Sequence, residues 1–274
     1  MTTMTQKQTH QNDSLRQGVR EHYAKIVEST GCGCAPTCCT PGADQRDVAE
    51  VSQKLGYSAE QTGAVPEGAN LGVGCGNPHA IAALQAGQTV LDLGSGAGFD
   101  VFLAARAVGP AGRVIGVDMT PVMISKAREN ALKTGLENTD FRLGEIEHLP
   151  VADATVDVIL SNCVINLSPD KGQVFAEAAR VLKPGGRLAI SDVVALKPVP
   201  EEMRTDMLLY AGCASGAAEI AELEKLLGEA GFENIRITPK PESREVIRDW
   251  FPGKGLEELF ASATLEAVKP AAIA

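Results

Sequence analysis

Seven cysteines are the residues of this 274-residue chain with the clearest capacity for chemistry. Four of them crowd one loop that is rich in glycine and proline: Cys32, Cys34, Cys38 and Cys39. The other three stand far apart along the chain: Cys75, Cys163 and Cys213. An odd number of cysteines in a chain of this length does not fit the disulfide framework of a small secreted domain. The loop also lacks the CxxC pairs and the nearby histidine that are typical of zinc sites.

The positions of the three dispersed cysteines favour a common role. Cys163 directly follows a predicted strand, at the edge of a parallel sheet where such folds bind their ligands. Cys75 lies in a glycine-rich turn where no packed core is expected, and Cys213 follows a predicted helix among small residues that permit close approach. A single cysteine is more often a small buried apolar residue, so packing is the alternative interpretation of each one.

A glycine loop is the strongest motif of the chain. The predicted strand at 90–93 is followed by Gly94-Ser95-Gly96-Ala97-Gly98, and a predicted helix begins after the loop. Small residues at the end of a strand let the main chain approach a ligand closely. The third glycine comes one position too early for a dinucleotide fingerprint, so the loop does not require a pyrophosphate.

Two acidic residues at the ends of the next strands complete the pattern. Asp118 follows Gly98 by twenty residues and can accept hydrogen bonds from both hydroxyls of a ribose. Glu145 follows the third predicted strand and is expected to accept a hydrogen bond from the amino group of an adenine. The loop and the two acids together predict a site for an adenosine-containing ligand without phosphates; a tight turn with no ligand is the alternative.

Short apolar runs alternate with helical stretches from residue 89 onwards, which predicts βαβ units and a mostly parallel, twisted sheet with helices on both faces. Strands are predicted at 90–93, 113–117, 139–143, 156–161, 187–191, 233–238 and 259–267. Helices are predicted from the Ser14 cap to Ile26 and over about 45–55, 201–212 and 219–230, with residues 1–13 disordered. The predicted α/β, Rossmann-like organisation has an N-terminal extension (1–69), a core (70–195) and a C-terminal part (196–274) that caps it.

Composition and charge exclude several classes of binding partner and cellular location. The 25 basic and 35 acidic residues give a net charge of −10, which argues against a nucleic-acid partner. No run of 18 apolar residues is present, so no membrane span is expected. The first ten residues are polar and do not resemble a secretory signal, so we expect a cytoplasmic protein. No feature of the sequence requires an oligomer, and a monomer is the expectation.

The residues of the glycine-loop site match a known superfamily. Asp92, Gly94, Gly96 and Asp118 occupy positions shared by the class I S-adenosylmethionine-dependent methyltransferases, which residues 70–195 resemble. The resemblance implies that these residues adopt the class I methyltransferase fold. It also implies that S-adenosylmethionine is the methyl donor. The residues expected to bind the cofactor are Asp92, Gly94, Ser95, Gly96, Asp118, Met119, Glu145, Ile146 and Asn162.

The segments around the dispersed cysteines resemble one branch, the arsenite methyltransferase family. They are Gly-Cys-Gly-Asn-Pro at Cys75, Ser-Asn-Cys-Val-Ile-Asn-Leu at Cys163, and Gly-Cys at Cys213. This resemblance covers about residues 14–270 and implies that the three cysteines hold trivalent arsenic as substrate, for methylation and detoxification. Trivalent arsenic is soft, which suits thiolate ligands, and its lone pair can attack a methyl sulfonium without a general base.

The resemblance also implies redox chemistry. Each methyl transfer formally oxidises the arsenic, so a thiol pair must return two electrons and then be reduced by an external thiol such as thioredoxin or glutathione. Cys32 or Cys34 is the expected catalytic partner of Cys75, and a thiol-rich segment without this role is the alternative. Two other functions stay open: a class I methyltransferase for a small organic acceptor, and a non-catalytic thiol-based binder of arsenic or metal.

Overall fold

One seven-stranded sheet organises the chain in the computed structural model, which describes residues 6–28, 48–250 and 253–271. The strands are β1 Thr89–Leu93, β2 Arg113–Asp118, β3 Thr139–Leu143, β4 Val156–Asn162, β5 Leu182–Ala195, β6 Glu233–Lys240 and β7 Phe260–Val268. Their order in the sheet is β3-β2-β1-β4-β5-β7-β6. Strands β1 to β5 are parallel, and β7 pairs antiparallel with both β5 and β6.

Helices and short helical turns surround the sheet. The helices are α1 Gln6–Glu28, α2 Val48–Lys54, α3 Ala59–Gly63, α4 His79–Ala82, α5 Phe99–Val108, α6 Pro121–Thr134, α7 Lys171–Val181, α8 Glu201–Arg204, α9 Met207–Ala211, α10 Ile220–Glu229 and α11 Ser243–Trp250. Two 3₁₀ turns span Ile165–Leu167 and Leu256–Glu258. None of the helices formed by the described residues combines the length and the apolarity needed to cross a membrane.

Alternating side chains of the central strands fill two cores, one on each face of the sheet. Val90 packs with residues of α5 and α6, whereas Leu91 and Leu93 pack on the opposite face with residues of α7 and α10. A parallel strand that is covered on both sides is largely apolar, which explains Val90, Leu91 and Leu93, whereas Asp92 is a buried polar exception. The order of the strands reverses between β1 and β4, so a crevice opens there at their carboxyl ends.

The α/β fold class and the seven strands expected from the sequence are confirmed, and several details differ. The expected disorder of residues 1–13 is wrong from Gln6 onwards, because α1 begins there. Ser14 lies inside this helix and donates from Oγ to the carbonyl of His10 over 3.0 Å, so it is not an N-cap. The single helix expected over 201–212 is two short helices, because Asp206 caps α9 through the amides of Leu208 and Leu209.

Two further regions bear on the expected organisation. The sequence interpretation did not identify α11, which packs against β7 and the turn Leu256–Glu258. The described part of the helix expected at 45–55 is α2, and residues 45–47 lie outside the described residues. The boundaries at 69/70 and 195/196 stay predictions, although β6 and β7 from the third segment complete the same sheet as the core.

Candidate active site

Three thiols from distant parts of the chain meet at the carboxyl edge of the sheet. Cys75 lies in the turn before α4, Cys163 directly follows β4, and Cys213 lies two residues beyond α9. All three are buried and free of disulfides. The Cys213 thiol donates to the main-chain carbonyl of Cys163 over 3.0 Å, and the three cysteines pack in one buried cluster. The folded chain therefore brings together the cysteines that the sequence separates by up to 138 residues (213 − 75).

The main chain directs two of these thiols. Cys163 and Cys213 have φ angles of 61° and 63°, in the left-handed region that residues other than glycine seldom occupy. The Cys163 amide donates to the carbonyl of Ser191 over 2.8 Å, and the Cys213 amide donates to the carbonyl of Tyr210 over 2.9 Å. Such conformations persist only where the surrounding structure fixes them, and they are common at functional sites.

The environment keeps the thiols protonated. Burial raises the pKa of Cys75 to about 11, although a hydrogen bond with Cys163 opposes the increase. Cys213 lowers the pKa of Cys163 through a hydrogen bond, but the bond with Cys75 and burial outweigh it and leave this pKa well above its usual value. The hydrogen bond with Cys163, followed by burial, likewise raises the pKa of Cys213. At neutral pH the cluster is therefore three neutral thiols.

A buried carboxylate lies beside the thiols. A carboxylate oxygen of Asp192 and the sulfurs of Cys75 and Cys163 lie within 4.8 Å of one another. Asp192 accepts hydrogen bonds from the amides of Ile165 (2.9 Å) and Val193 (2.7 Å). Burial raises its pKa to about 6, with these amides acting in the opposite direction. This negative charge contributes to the raised thiol pKa values.

The glycine loop forms the other side of the same cavity. Gly94 and Gly96 have φ angles of 70° and 51°, and both line a cavity that extends to Cys163 and Cys213. A Cβ atom on Gly94 would lie 2.5 Å from Cγ2 of Val164, so the loop has no room for a side chain there. The cavity therefore extends from the main chain of the glycine loop to Cys163 and Cys213.

Asp118 is the acidic residue on the cavity wall. One of its carboxylate oxygens accepts from the amide of Gly96 over 2.9 Å, and the other accepts from the amide of Thr120 over 2.8 Å. Burial raises its pKa, and these amide hydrogen bonds oppose the increase. A carboxylate held at the end of β2 beside a glycine loop is suited to accept hydrogen bonds from the hydroxyls of a ribose.

The N-terminal helix α1 covers the cavity. Val19 and Tyr23 line it, and the Tyr23 hydroxyl donates to the carbonyl of Ala211 over 3.2 Å. Tyr23 also hydrogen-bonds with the Cys213 side chain, an interaction that lowers the thiol pKa without offsetting the larger opposing effects. The apolar face of α1 is therefore part of the site.

Two arginines fix α1 to the acidic loop after β3. Arg16 contacts the carboxylate of Glu147 over 3.1 Å and that of Glu145 over 3.5 Å, and Arg20 forms a further ion pair with Glu145. Glu147 is almost fully buried and also accepts from the Ser168 hydroxyl over 2.7 Å. Glu145, which the sequence suggests as the adenine acceptor, is thus engaged by the helix that covers the site.

The residues predicted to bind a cofactor divide into two groups. Those that line the cavity are Gly94, Gly96, Asp118, Met119, Ile146 and Asn162. Asp92 and Ser95 are buried and are not among the lining residues, and Glu145 faces the arginines of α1. Cys32 and Cys34 lie outside the described residues, so their predicted role stays a prediction.

Sequence reasoning missed three contributors to the site: Arg16, Tyr23 and Asp192. The apolar spacing of α1 predicts a helix but does not show which surface it covers. For Asp192 a signal was present, because a polar residue within a strand of apolar neighbours, Ser191-Asp192-Val193-Val194, needs buried partners or a function.

The strand order, the glycine loop after β1 and the acid at the end of β2 define a class I methyltransferase. A family model described as a methyltransferase domain matches residues 84–231. A curated arsenite methyltransferase of Halobacterium salinarum is 52% identical over 94% of this chain and 68% of its own length. The chain belongs to the arsenite methyltransferase family.

Two further comparisons agree with this assignment. An arsenite methyltransferase of Aquipseudomonas alcaligenes is 38% identical over 81% of this chain and 63% of its own length. The crystal structure of an arsenic(III) S-adenosylmethionine methyltransferase from Chlamydomonas reinhardtii superposes with a TM-score of 0.62 at 33% identity, covering 82% of this chain and 74% of that one. The chain thus spans about two thirds of the lengths of the two curated relatives.

Proposed function

We propose that this chain methylates trivalent arsenic held by Cys75, Cys163 and Cys213, with S-adenosylmethionine as the methyl donor. The observation that carries the proposal is the meeting of three buried thiols beside a cavity that also reaches the glycine loop. The arsenite methyltransferase of Halobacterium salinarum and the arsenic(III) S-adenosylmethionine methyltransferase of Chlamydomonas reinhardtii described above support the same substrate and donor.

The residues of the cavity suit S-adenosylmethionine. Gly94 and Gly96 line the cavity without side chains, and Asp118 offers a carboxylate to the ribose. Arg16 balances the charge of Glu147 on the lining, so Asp118 gives it a net negative charge, which favours a cationic ligand over a phosphorylated one. When bound, S-adenosylmethionine supplies a methyl group carried on a positively charged sulfur.

Neutral thiols are well matched to the capture of arsenite. Each arsenic–oxygen bond that breaks releases a hydroxyl group, which leaves as water with the proton of the thiol that replaces it. Three such exchanges form three arsenic–sulfur bonds and three waters without leaving a charge in the buried cluster. The raised pKa values of Cys75, Cys163 and Cys213 are therefore compatible with binding.

The chain needs no base for the transfer itself, because arsenic held by three sulfurs retains its lone pair. The role of the residues is then to position the substrate and to exclude water. Val19 and Tyr23 cover the cavity from α1, and the left-handed conformations at Cys163 and Cys213 fix the directions of two sulfurs.

Turnover requires a source of electrons, since each methyl transfer formally oxidises the arsenic by two electrons. Two cysteine thiols can return these electrons, lose two protons and form a disulfide. Cys75 with Cys32 or Cys34 is the pair that we propose, and an external thiol reductant, thioredoxin or glutathione, then reduces the disulfide.

The test is a methylation assay with arsenite, S-adenosylmethionine and a dithiol, with products separated by chromatography and measured by arsenic-specific mass spectrometry. We expect methylated arsenic from the wild type and none from Cys163→Ser, with unchanged binding of S-adenosylhomocysteine by the variant as the control for folding. Arsenic binding without any methylated product would refute the proposal and favour a thiol-based binder. Equal activity of Cys163→Ser would refute the role of the thiols.

A further inference from the structure

We infer that Tyr57 and Asp100 are positioning residues that hold Cys75 in place through the side-chain amide of Asn162. Cys75 differs from the other two cysteines because it lies in the turn 72–76, which forms neither helix nor strand. The position of its thiol must therefore be set by hydrogen bonds that the turn makes with other parts of the chain.

Asn162, the last residue of β4, provides these bonds. Its Oδ1 accepts from the Cys75 amide over 3.0 Å, and its Nδ2 donates to the carbonyl of Gly76 over 2.8 Å. The turn lies directly on the amide, since a Cβ on Gly74 would be 2.9 Å from Nδ2. One amide thus clamps the main chain on both sides of the thiol.

The clamp works only in one orientation of the amide, and Tyr57 favours that orientation together with Asp100, whose Oδ2 lies 3.5 Å from Nδ2 of Asn162. The Tyr57 hydroxyl donates to Oδ1 of Asp100 over 2.7 Å and accepts from Nδ2 of Asn162 over 2.9 Å. Because its single proton is committed to the carboxylate, the hydroxyl can only accept from Asn162. This leaves Oδ1 of Asn162 directed towards the Cys75 amide.

The network is buried and links the thiol to the cofactor side of the site. Tyr57 and Asp100 are 4% and 7% exposed, and the Tyr57 ring packs on Phe99 with centroids 4.8 Å apart. Asp100 lies in the first turn of α5, directly after the glycine loop, and its Oδ1 lies 3.1 Å from Nε2 of His79. A chain of contacts therefore connects the helix that follows the glycine loop to Cys75.

The first test measures the position of the thiol without arsenic. Tyr57→Phe removes the hydroxyl and keeps the ring, and Tyr210→Phe is the matched control because its buried hydroxyl donates to a carbonyl, that of Leu167, over 3.1 Å. We expect iodoacetamide to alkylate Cys75 at least about fivefold faster relative to Cys163 in Tyr57→Phe, and at the wild-type ratio in Tyr210→Phe, by peptide mass spectrometry.

The second test uses arsenite and rests on the proposed function. Arsenite affinity should fall about tenfold in Tyr57→Phe, and methylation per bound arsenic should fall at least as much, since a small displacement of a reacting group is costly. Asp100→Ala, which removes the acceptor of the Tyr57 hydroxyl proton, should change both readouts in the same direction. It also serves as the second variant should Tyr57→Phe fail to fold.

The two tests distinguish a failure of the positioning role of Tyr57 and Asp100 from a failure of the proposed arsenite methylation. Wild-type alkylation ratios in both Tyr57→Phe and Asp100→Ala would overturn the inference, whatever the arsenite result. A faster reaction of Cys75 supports the inference even if arsenite binds to no form of the protein, a result that would instead refute the proposed function.

Discussion

The thiol of Cys213 and the main-chain carbonyl of Cys163 are joined by a 3.0 Å hydrogen bond, and both residues have left-handed backbone conformations. Two conformations that are each unfavourable by roughly 1–3 kcal/mol are thus combined in one contact. A site that needed only packing would not require this arrangement. The contact instead fixes the relative position of two sulfurs that approach from a strand end and from a helix end.

The raised thiol pKa values predict a loss of stability at alkaline pH. The Cys75 pKa is about 11 in the folded protein against a usual value of 9.0, so folding favours the protonated thiol. The associated stability is fully present below pH 9 and is lost as the pH rises through 11, with a total of about 3 kcal/mol. Urea unfolding of wild type and Cys75→Ser at pH 8 and pH 11 should show their stability difference falling by about 2 kcal/mol, because half of the folded thiols still hold their proton at pH 11.

Cys75→Ser is the reference for this pH dependence, because the serine hydroxyl does not ionise between these two pH values. A stability difference that is the same at pH 8 and pH 11 in the arsenic-free protein would contradict the prediction.

Substitution of Gly94 should damage the cofactor side of the site beyond its effect on the backbone. Gly135 is the matched control, because its φ of 66° is close to the 70° of Gly94 but a Cβ there meets nothing within 4 Å. We expect Gly135→Ala to lose about 1 kcal/mol and to bind S-adenosylhomocysteine normally. Gly94→Ala should lose roughly 1–3 kcal/mol more, because of the clash with Val164, and bind at least about tenfold more weakly.

Urea unfolding and titration calorimetry measure the two quantities. Equal losses of stability and equal affinities in the two variants would show that the contact between the loop and Val164 is unimportant.

The attachment of α1 should depend on Arg16 more than on Arg20. Arg16 is 13% exposed and faces the buried carboxylate of Glu147, whereas Arg20 is 37% exposed and pairs with Glu145. Arg16→Ala leaves Glu147 buried with only the Ser168 hydroxyl, so we expect a loss of roughly 2–3 kcal/mol. Arg20→Ala should lose less than about 1 kcal/mol.

Because α1 carries Val19 and Tyr23 into the cavity, Arg16→Ala should also raise the KM for S-adenosylmethionine several-fold and expose α1 to limited proteolysis. Urea unfolding, steady-state kinetics and the rate of cleavage within residues 6–28 provide the three readouts. The same response from both arginine variants would argue that α1 is held by its apolar face alone.

Local sequence patterns were sufficient to predict the sheet and the glycine-loop side of the site. A short, mostly apolar segment such as 90–93 that is followed by a glycine loop has few structural alternatives, and the loop after it in a parallel sheet must lie at the ligand-binding edge. The same rule placed Cys163 from sequence alone at that edge, which also carries Gly94 and Asp118.

The remaining features depend on contacts that no local pattern contains. The spacing of Val19 and Tyr23 predicts a helix, but packing on a distant surface decides that α1 covers the cavity. Tyr57 and Asn162 are separated by 105 residues in the sequence, and their hydrogen bond exists only because the segment between α2 and α3 folds onto the end of β4. The split between α8 and α9 likewise follows from the competition of the Asp206 cap with a continuous helix.

The most direct test of the three-thiol site is X-ray absorption spectroscopy at the arsenic edge, with one equivalent of arsenite bound to the reduced protein. We expect three sulfur neighbours and no oxygen in the wild type, and two sulfurs with one oxygen in Cys213→Ser. Three sulfurs in Cys213→Ser, or arsenic bonded mainly to oxygen in the wild type, would contradict the joint role of Cys75, Cys163 and Cys213.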